Sequence, residues 1–471
     1  MTNTQAWPGV LLRGASESLI DQIVRLVTAR IDDRLLRTGA RMPSIRQFAA
    51  SHGVSAFTVV AGYDKLVASG YLESRRGAGF FVRERSPMIP RAAERLPAAA
   101  PAIDVVWLIR NTFRQMPGAN MPGAGVLPAD WMDGAMLAQA LRAVSRQNSK
   151  LLINYGAAQG FLPLRQQLQH KLAELDIAAA PEQFVTTVGV TQALDIVARE
   201  FTRPGDTVFV DDPAWYLMFG SFTALGLNVI GIPRLADGPD PAYLAAMAAQ
   251  HRPKLYVINS VLHNPTSGSL SAAKAFQILR LAEEYDFTIV EDDIYCDLHP
   301  GGATRLAALD QLQRVIYLGG FSKTLAANLR LGFIAASAEW ALRLADRKML
   351  TTLSSSDIGE RVVYKILAEG LYRKHLDRVR RRLDAVRGTA LRQMERYGMR
   401  IDSAPAAGMF VWADTGRDTV ALAGEAMAAG LLLAPGCLFS PSQLPSTRTR
   451  INIACFSDPD VARFFAPAPG T

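Results

Sequence analysis

The sequence predicts an α/β chain in two parts. A small helical module ending in a β-hairpin comes first, then a large domain on a mostly parallel seven-stranded sheet with a smaller C-terminal subdomain. Three observations carry this expectation. From residue 184 onward, short apolar runs alternate with helical patterns, the signature of a parallel sheet covered by helices. The first 85 residues instead hold three short amphipathic segments broken by glycines, followed by two strand-like runs. Between the two parts, residues 86–102 read SPMIPRAAERLPAAAPA. Repeated prolines there favour an extended tether with no apolar face to bury. The expected boundaries are 1–85, a linker over 86–118, and 119–471.

Composition narrows the class. The chain has 471 residues, 49% hydrophobic and 20% charged, ordinary for a soluble globular protein. No apolar run approaches the roughly 20 residues that span a bilayer, and residues 1–10 lack the basic-then-apolar layout of an export signal. Cys296, Cys437 and Cys455 are scattered, against both a disulfide framework and a zinc site. A cytoplasmic protein without a membrane partner is expected. The charge is uneven: residues 1–85 hold 12 Lys and Arg against 7 Asp and Glu, the remainder 39 against 36. Most of the basic excess thus lies in under a fifth of the chain, as in a small nucleic-acid-binding module on a nearly neutral body.

In the first module, Leu19, Ile20, Ile23, Leu26, Val27 and Ile31 recur at helical spacing behind Ser18-x-x-Asp21, a capping-box pattern. A break at Gly39–Pro43 precedes a second helix from Ser44, which Gly53 ends. Ser55 caps a third, with Val59, Tyr63, Leu66 and Val67 on one face. The pattern predicts a helix-turn-helix. Residues 71–74 and 79–82 flank Arg75-Arg76-Gly77-Ala78, a hairpin with a basic tip suited to phosphates or the minor groove. A three-helix protein-interaction module is the alternative; the basic bias and the hairpin favour DNA.

In the large domain, strands are expected at 184–187, 207–210, 227–232, 254–259, 287–291 and 314–318, with helices such as 192–200 and 272–285 between them. The run 331–336 follows Lys323 too closely for a crossover of about a dozen residues, so it should run antiparallel. Polar residues cluster at the strand ends, where ligands of open α/β sheets gather. Val315 to Leu318 stop at Gly319 and Gly320, and Lys323 stands where that strand ends. A partly desolvated lysine has a lowered pKa and can attack a carbonyl to form a Schiff base; a loop lysine of no function is the bland reading. Gly189, Val190 and Thr191 open a helix directly after a strand, an arrangement that suits a phosphate. Trp215 follows a strand and could stack on a flat ring. Asn264 precedes a proline turn, and Glu291-Asp292-Asp293-Ile294-Tyr295 puts an acid and a phenol three apart. A divalent metal on Glu291, Asp292 and Asp293, with His299, competes, although the nearby lysine and arginine would repel it. A nucleotide P-loop fails, because Ser322 rather than glycine precedes Lys323.

Together these pieces fit pyridoxal 5'-phosphate. Lys323 would supply the Schiff base, and Asp292 would hold the pyridine nitrogen protonated so that the ring acts as an electron sink. Tyr295 and Asn264 would bond the ring hydroxyl. Residues 189–191, Arg330 and Ser322 would neutralise the phosphate, with Trp215 stacked on the ring.

Two resemblances extend this reading over the whole chain. Met42-Pro43-Ser44-Ile45-Arg46, Val54-Ser55, Thr58-Val59 and Gly70-Tyr71-Leu72-Glu73-Ser74-Arg75 resemble the winged helix of the GntR family, which implies DNA contacts from Arg46, Ser55, Thr58, Lys65, Arg75 and Arg76. Where that family carries recognition-helix arginines, this chain has Ala56 and Ala61. The order of residues from about 120 to 460 resembles fold type I aminotransferases. That likeness implies that Tyr155 reaches the cofactor phosphate of the other subunit. It also implies that Arg450 grips a substrate or effector carboxylate and that Gly125 belongs to the same substrate or effector site; Arg448 is the second candidate. The combination is similar to the MocR subgroup of GntR regulators, implying a homodimer that binds operator DNA and senses an amino compound or a B6 vitamer. A working aminotransferase with a vestigial DNA module is the alternative.

Overall fold

The computed structural model describes residues 11–12, 17–84, 104–113, 120–146, 153–456 and 458–466. The expected tether at 86–102 lies outside the described residues, as does the export-signal reading at 1–10. The chain divides into two compact units, Met1–Ala100 and Pro101–Thr471.

The first unit contains α1 (Leu19–Asp32), α2 (Ile45–His52), α3 (Ala56–Ala68) and an antiparallel hairpin of β1 (Leu72–Arg75) and β2 (Gly79–Val82). Local chemistry sets each boundary. Ser44 and Gln47 form a reciprocal capping box at α2, and Gly53 ends that helix at φ 63°, a left-handed conformation glycine adopts without steric cost. Ser55 Oγ accepts from the Thr58 N–H to open α3. Ser18 likewise caps α1, but the Asp21 carboxylate accepts from Ser18 Oγ and Lys65 Nζ and does not complete the expected box. Ile23, Val27, Phe48, Val59, Tyr63 and Leu66 are fully buried and form the core.

The second unit opens on a helix, Val105–Phe113, whose Leu108 is fully buried in the core of this unit. Its main sheet contains β3 (Phe184–Val188), β4 (Thr207–Asp212), β5 (Asn228–Leu235), β6 (Gly238–Pro239), β7 (Leu255–Ile258), β8 (Thr288–Asp292), β9 (Val315–Gly320) and β10 (Leu331–Ala335). The order is β3-β10-β9-β8-β7-β4-β5-β6. This is eight strands rather than the expected seven. The addition, β6, is a two-residue return of the chain onto β5, too short to leave a periodic signal. Strands β5, β4, β7, β8 and β9 are mutually parallel, and β10 runs antiparallel to both β9 and β3, as its short connection requires.

Both sheet faces are covered. Alternate residues feed opposite cores: Val208, Val257, Val290 and Ile316 pack on one side, Phe209, Tyr256, Ile289 and Tyr317 on the other. A smaller antiparallel sheet, β11 (Phe410–Asp414), β13 (Arg448–Asn452) and β12 (Ala434–Pro435), forms the C-terminal part with the long helix Leu371–Arg396. The topology decides where the polar residues meet. Parallel strands put the carboxyl ends of β3, β4, β7, β8 and β9 on one rim. The antiparallel β10 brings its amino end, hence Arg330, to that same rim.

Candidate functional site

A cavity of about 840 Å³ opens at this rim, lined among others by Thr191, Trp215, Asn264, Asp292, Tyr295, Ser322, Lys323 and Arg330. Val190 also lines it, and Gly189 starts the adjoining helix Gly189–Phe201. The rim therefore gathers the cavity residues singled out in the sequence.

Lys323 follows β9 and donates from Nζ to the Gly125 carbonyl at 2.8 Å. Burial of its amine, with the Arg450 and Arg330 guanidiniums nearby, lowers its pKa from 10.5 to about 8, against the opposing pull of Asp292. Asp292, at the end of β8, is 9% exposed. Burial raises its carboxyl to about 7, although the Ile294 N–H and Lys323 favour the ionised form. Tyr295 is buried and its phenol is pushed up by desolvation; its oxygen accepts from Asn264 Nδ2 at 3.4 Å.

The three consecutive acids go to separate partners. Glu291 accepts from the backbone N–H groups of Leu306 and Ala307 at 2.9 and 2.8 Å. Asp293 pairs with Arg305 at 2.6 Å and accepts from the Tyr317 hydroxyl at 2.9 Å. Only Asp292 lines the cavity. His299 bonds locally with Gly301, so these four side chains do not converge on a metal.

The corner at the amino end of helix Gly189–Phe201 is tightly built. Helix Gly189–Phe201 begins without a side-chain cap, so its first N–H groups and its dipole face the rim. Gly189 has φ 74°, and a Cβ there would stand 2.8 Å from Arg330 Nη2; no larger residue fits without moving that guanidinium. Arg330 itself donates to the Val188 carbonyl at 3.3 Å. Ser322 Oγ is buried without a hydrogen-bond partner among the described residues. A buried hydroxyl left unpaired is costly, and a phosphate oxygen would satisfy it.

Arg450 lies on β13, 1% exposed. It donates to Asn264 Oδ1 at 2.9 Å and to the Gly123 carbonyl at 2.6 Å, with its Nε unpaired. Phe410 and Phe439 lie 4.6 and 5.0 Å from the guanidinium carbon. A Cβ on Gly125 would be 3.6 Å from both terminal nitrogens. Arg448 instead pairs with Asp402. Tyr155 does not join the cavity of its own chain; it is 83% exposed, in a separate recess with Phe161 and Arg361.

Two supports escaped sequence reasoning. Asn259 donates to the Asp292 carbonyl at 2.6 Å and accepts from the Asn264 N–H at 2.8 Å, tying two rim loops together. Its place at a predicted strand end was the available signal. Behind Lys323, the Tyr372 hydroxyl bridges Asp297 at 2.6 Å and Thr324 at 2.5 Å, and His375 bonds the Thr324 carbonyl at 2.8 Å. These partners come from a helix some 50 residues later, with no local pattern to reveal them.

In the first unit, Arg46 and Arg76 are exposed. Arg75 pairs with Glu73 and lies 4.6 Å over the Phe81 ring. Lys65 is held by Asp21 at 2.6 Å, and the hydroxyls of Ser55 and Thr58 bond each other at 2.7 Å.

Comparison with known proteins agrees with both units. Residues 123–466 match the model of aminotransferase class I and II, and residues 19–82 that of bacterial regulatory proteins, gntR family. The HTH-type transcriptional regulator TauR of Rhodobacter capsulatus is 29% identical over 450 residues, 91% of each chain. The probable rhizopine catabolism regulatory protein MocR of Rhizobium meliloti is 28% identical over 381 residues, 79% of this chain and 76% of that protein. Among solved structures, the multiple substrate aminotransferase of Thermococcus profundus superposes with a TM-score of 0.70 at 25% identity, covering 79% of this chain and 94% of its own. The chain belongs to the aminotransferase class I and II family and joins to it a gntR-family domain, the arrangement of the MocR subgroup of regulators.

Proposed function

We propose that this chain is a DNA-binding transcriptional regulator whose large unit holds pyridoxal 5'-phosphate at Lys323 and senses an amino compound or B6 vitamer there. The observation that carries it is one cavity presenting a buried amine of lowered pKa, a buried carboxyl and an anion corner, in a chain that also carries a gntR-family domain. When bound, the cofactor would supply an electron sink. Lys323 would attach it and Asp292 would hold its pyridine nitrogen. Tyr295 and Asn264 would orient the ring, Trp215 would cover it, and Gly189, Val190, Thr191, Ser322 and Arg330 would neutralise the phosphate. Arg450, clamped between Asn264 and two rings, would take the effector carboxylate, displacing the Gly123 carbonyl.

A homodimer in the cytoplasm completes the reading. Ile153, Tyr155, Leu350 and Leu353 leave large apolar surface in water, and Lys348 ties the first of these segments to the second through the Ala158 carbonyl. A second copy covering this surface would bring Tyr155 to the partner's phosphate corner. The domain limits 1–85 and 119–471 belong to the same proposal, with helix Val105–Phe113 between them packed on the second unit rather than acting as tether, as do DNA contacts from Arg46, Ser55, Thr58, Lys65, Arg75 and Arg76.

An effector moves DNA affinity only as far as it prefers one conformation. The test is mobility shift on the chain's own promoter region at several salt concentrations, with and without cofactor and amino acids. A salt-sensitive, sequence-preferring complex that responds to the amino compound is expected; its absence removes the proposal. The complete site also favours a second reading, a working aminotransferase. Many rapid turnovers with an amino acid and a keto acid, without DNA affinity, would put that reading first.

A further inference from the structure

The exposed turn of α3 carries an unusual choice of side chains. Val59, Gly62, Tyr63 and Leu66 face the core, so the opposite face presents Phe57, Ala61, Asp64 and Ala68, flanked by Val60 and Lys65, with Ala56 exposed at the first turn. Phe57 is 81% exposed, the most exposed large hydrophobic side chain among the described residues of its unit. A full aromatic ring in water offers a large apolar face to any partner that can cover it.

We propose that Phe57, with Ala56 and Ala61 beside it, reads thymine 5-methyl groups in the major groove, an inference that rests on the DNA-binding reading above. In a helix-turn-helix the first turn of the second helix meets the base edges. Guanine and adenine are recognised there by Arg, Lys, Asn or Gln in bidentate contact. None of these stands on this turn, and the Thr58 hydroxyl is already engaged by Ser55. Lys65, two turns further on, is drawn to Asp21. The group in the groove that complements an apolar side chain is the thymine methyl. Charge agrees with DNA as the occupant: exposed Arg46, Arg75 and Arg76 belong to the same unit, and they can hold phosphates, fixing orientation while the apolar turn supplies sequence preference.

The experiment uses the full-length protein and a randomised duplex pool. From the enriched duplex, each thymidine is replaced in turn by deoxyuridine, which removes only the methyl group. Affinity should fall by about fourfold per methyl read, at one or two positions per half-site. Phe57→Ala should shrink the thymidine-to-deoxyuridine ratio at the position the ring covers, with its thermal midpoint and salt slope unchanged, because the ring is 81% exposed and carries no charge. Equal wild-type affinity for both duplexes at every position would overturn the inference, as would an unchanged ratio in Phe57→Ala. An unchanged ratio with a smaller assembly in sedimentation would assign the ring to a contact between protein copies instead. A pool that yields no salt-sensitive binder would bring down the DNA-binding reading itself, a distinguishable failure.

Discussion

The two units carry their arginines in opposite ways. Arg450 is 1% exposed, held by Asn264 and the Gly123 carbonyl and flanked by Phe410 and Phe439. Arg46 and Arg76 stand in water. A desolvated, fixed guanidinium suits a small carboxylate recognised bidentately. Hydrated arginines suit a polyanion, where affinity comes from released counterions and no side chain needs a rigid pose. Under the proposed function the same residue type would serve precision in one unit and bulk electrostatics in the other. The contrast says which substitutions should be catastrophic and which graded.

The largest effect is expected at Lys323. Lys323→Ala should abolish borohydride-fixed cofactor while leaving the circular dichroism spectrum intact; label retained elsewhere in the variant would exclude this lysine. Next, Arg450→Lys should weaken the spectral response to amino acids by roughly 100-fold, about 3 kcal/mol, since a point charge replaces a fork and leaves Asn264 poorly paired. An unchanged midpoint would mean the carboxylate binds elsewhere.

A pH series sharpens the same half of the contrast. The attacking form of Lys323 is the neutral amine, so raising pH increases it. With the pKa at about 8, the second-order rate of cofactor attachment should climb tenfold per unit below that value and level above it. A rate still climbing at pH 10 would indicate a lysine that is not desolvated. The smallest effects belong to the exposed arginines. Arg76→Ala should lower the salt slope of DNA binding by about 0.9. Arg75→Ala should do less, because Glu73 already neutralises it, and Lys65→Ala should change affinity by less than about twofold, since Asp21 already neutralises its ammonium. Equal, large losses at all three would mean that these side chains leave their partners to meet phosphate.

Much of the architecture was legible because it is local. Caps at Ser44 and Ser55, the glycine stop at Gly53 and the basic hairpin tip are each written within four residues of where they act. The strand β9 ending before Lys323 could be read in the same way, and the short connection to β10 already demanded antiparallel pairing. The two-residue β6 was invisible because it makes no periodic pattern. So were Asp297 and Tyr372, whose contacts to each other and to Thr324 cross long stretches of chain.

By itself the sequence determined that the chain joins a basic winged module to an α/β body, and it named the lysine, acid, phenol and arginine of the cavity. Short-range periodicity and residue chemistry suffice for that. Tertiary structure alone decided that Glu291 and Asp293 turn away to Leu306, Ala307 and Arg305, that Arg448 pairs with Asp402, and that Lys65 and Arg75 already have partners. Each of those outcomes depends on which groups distant segments bring within hydrogen-bond reach, and on how much water they exclude. Neither quantity is encoded in the spacing of residues along the chain.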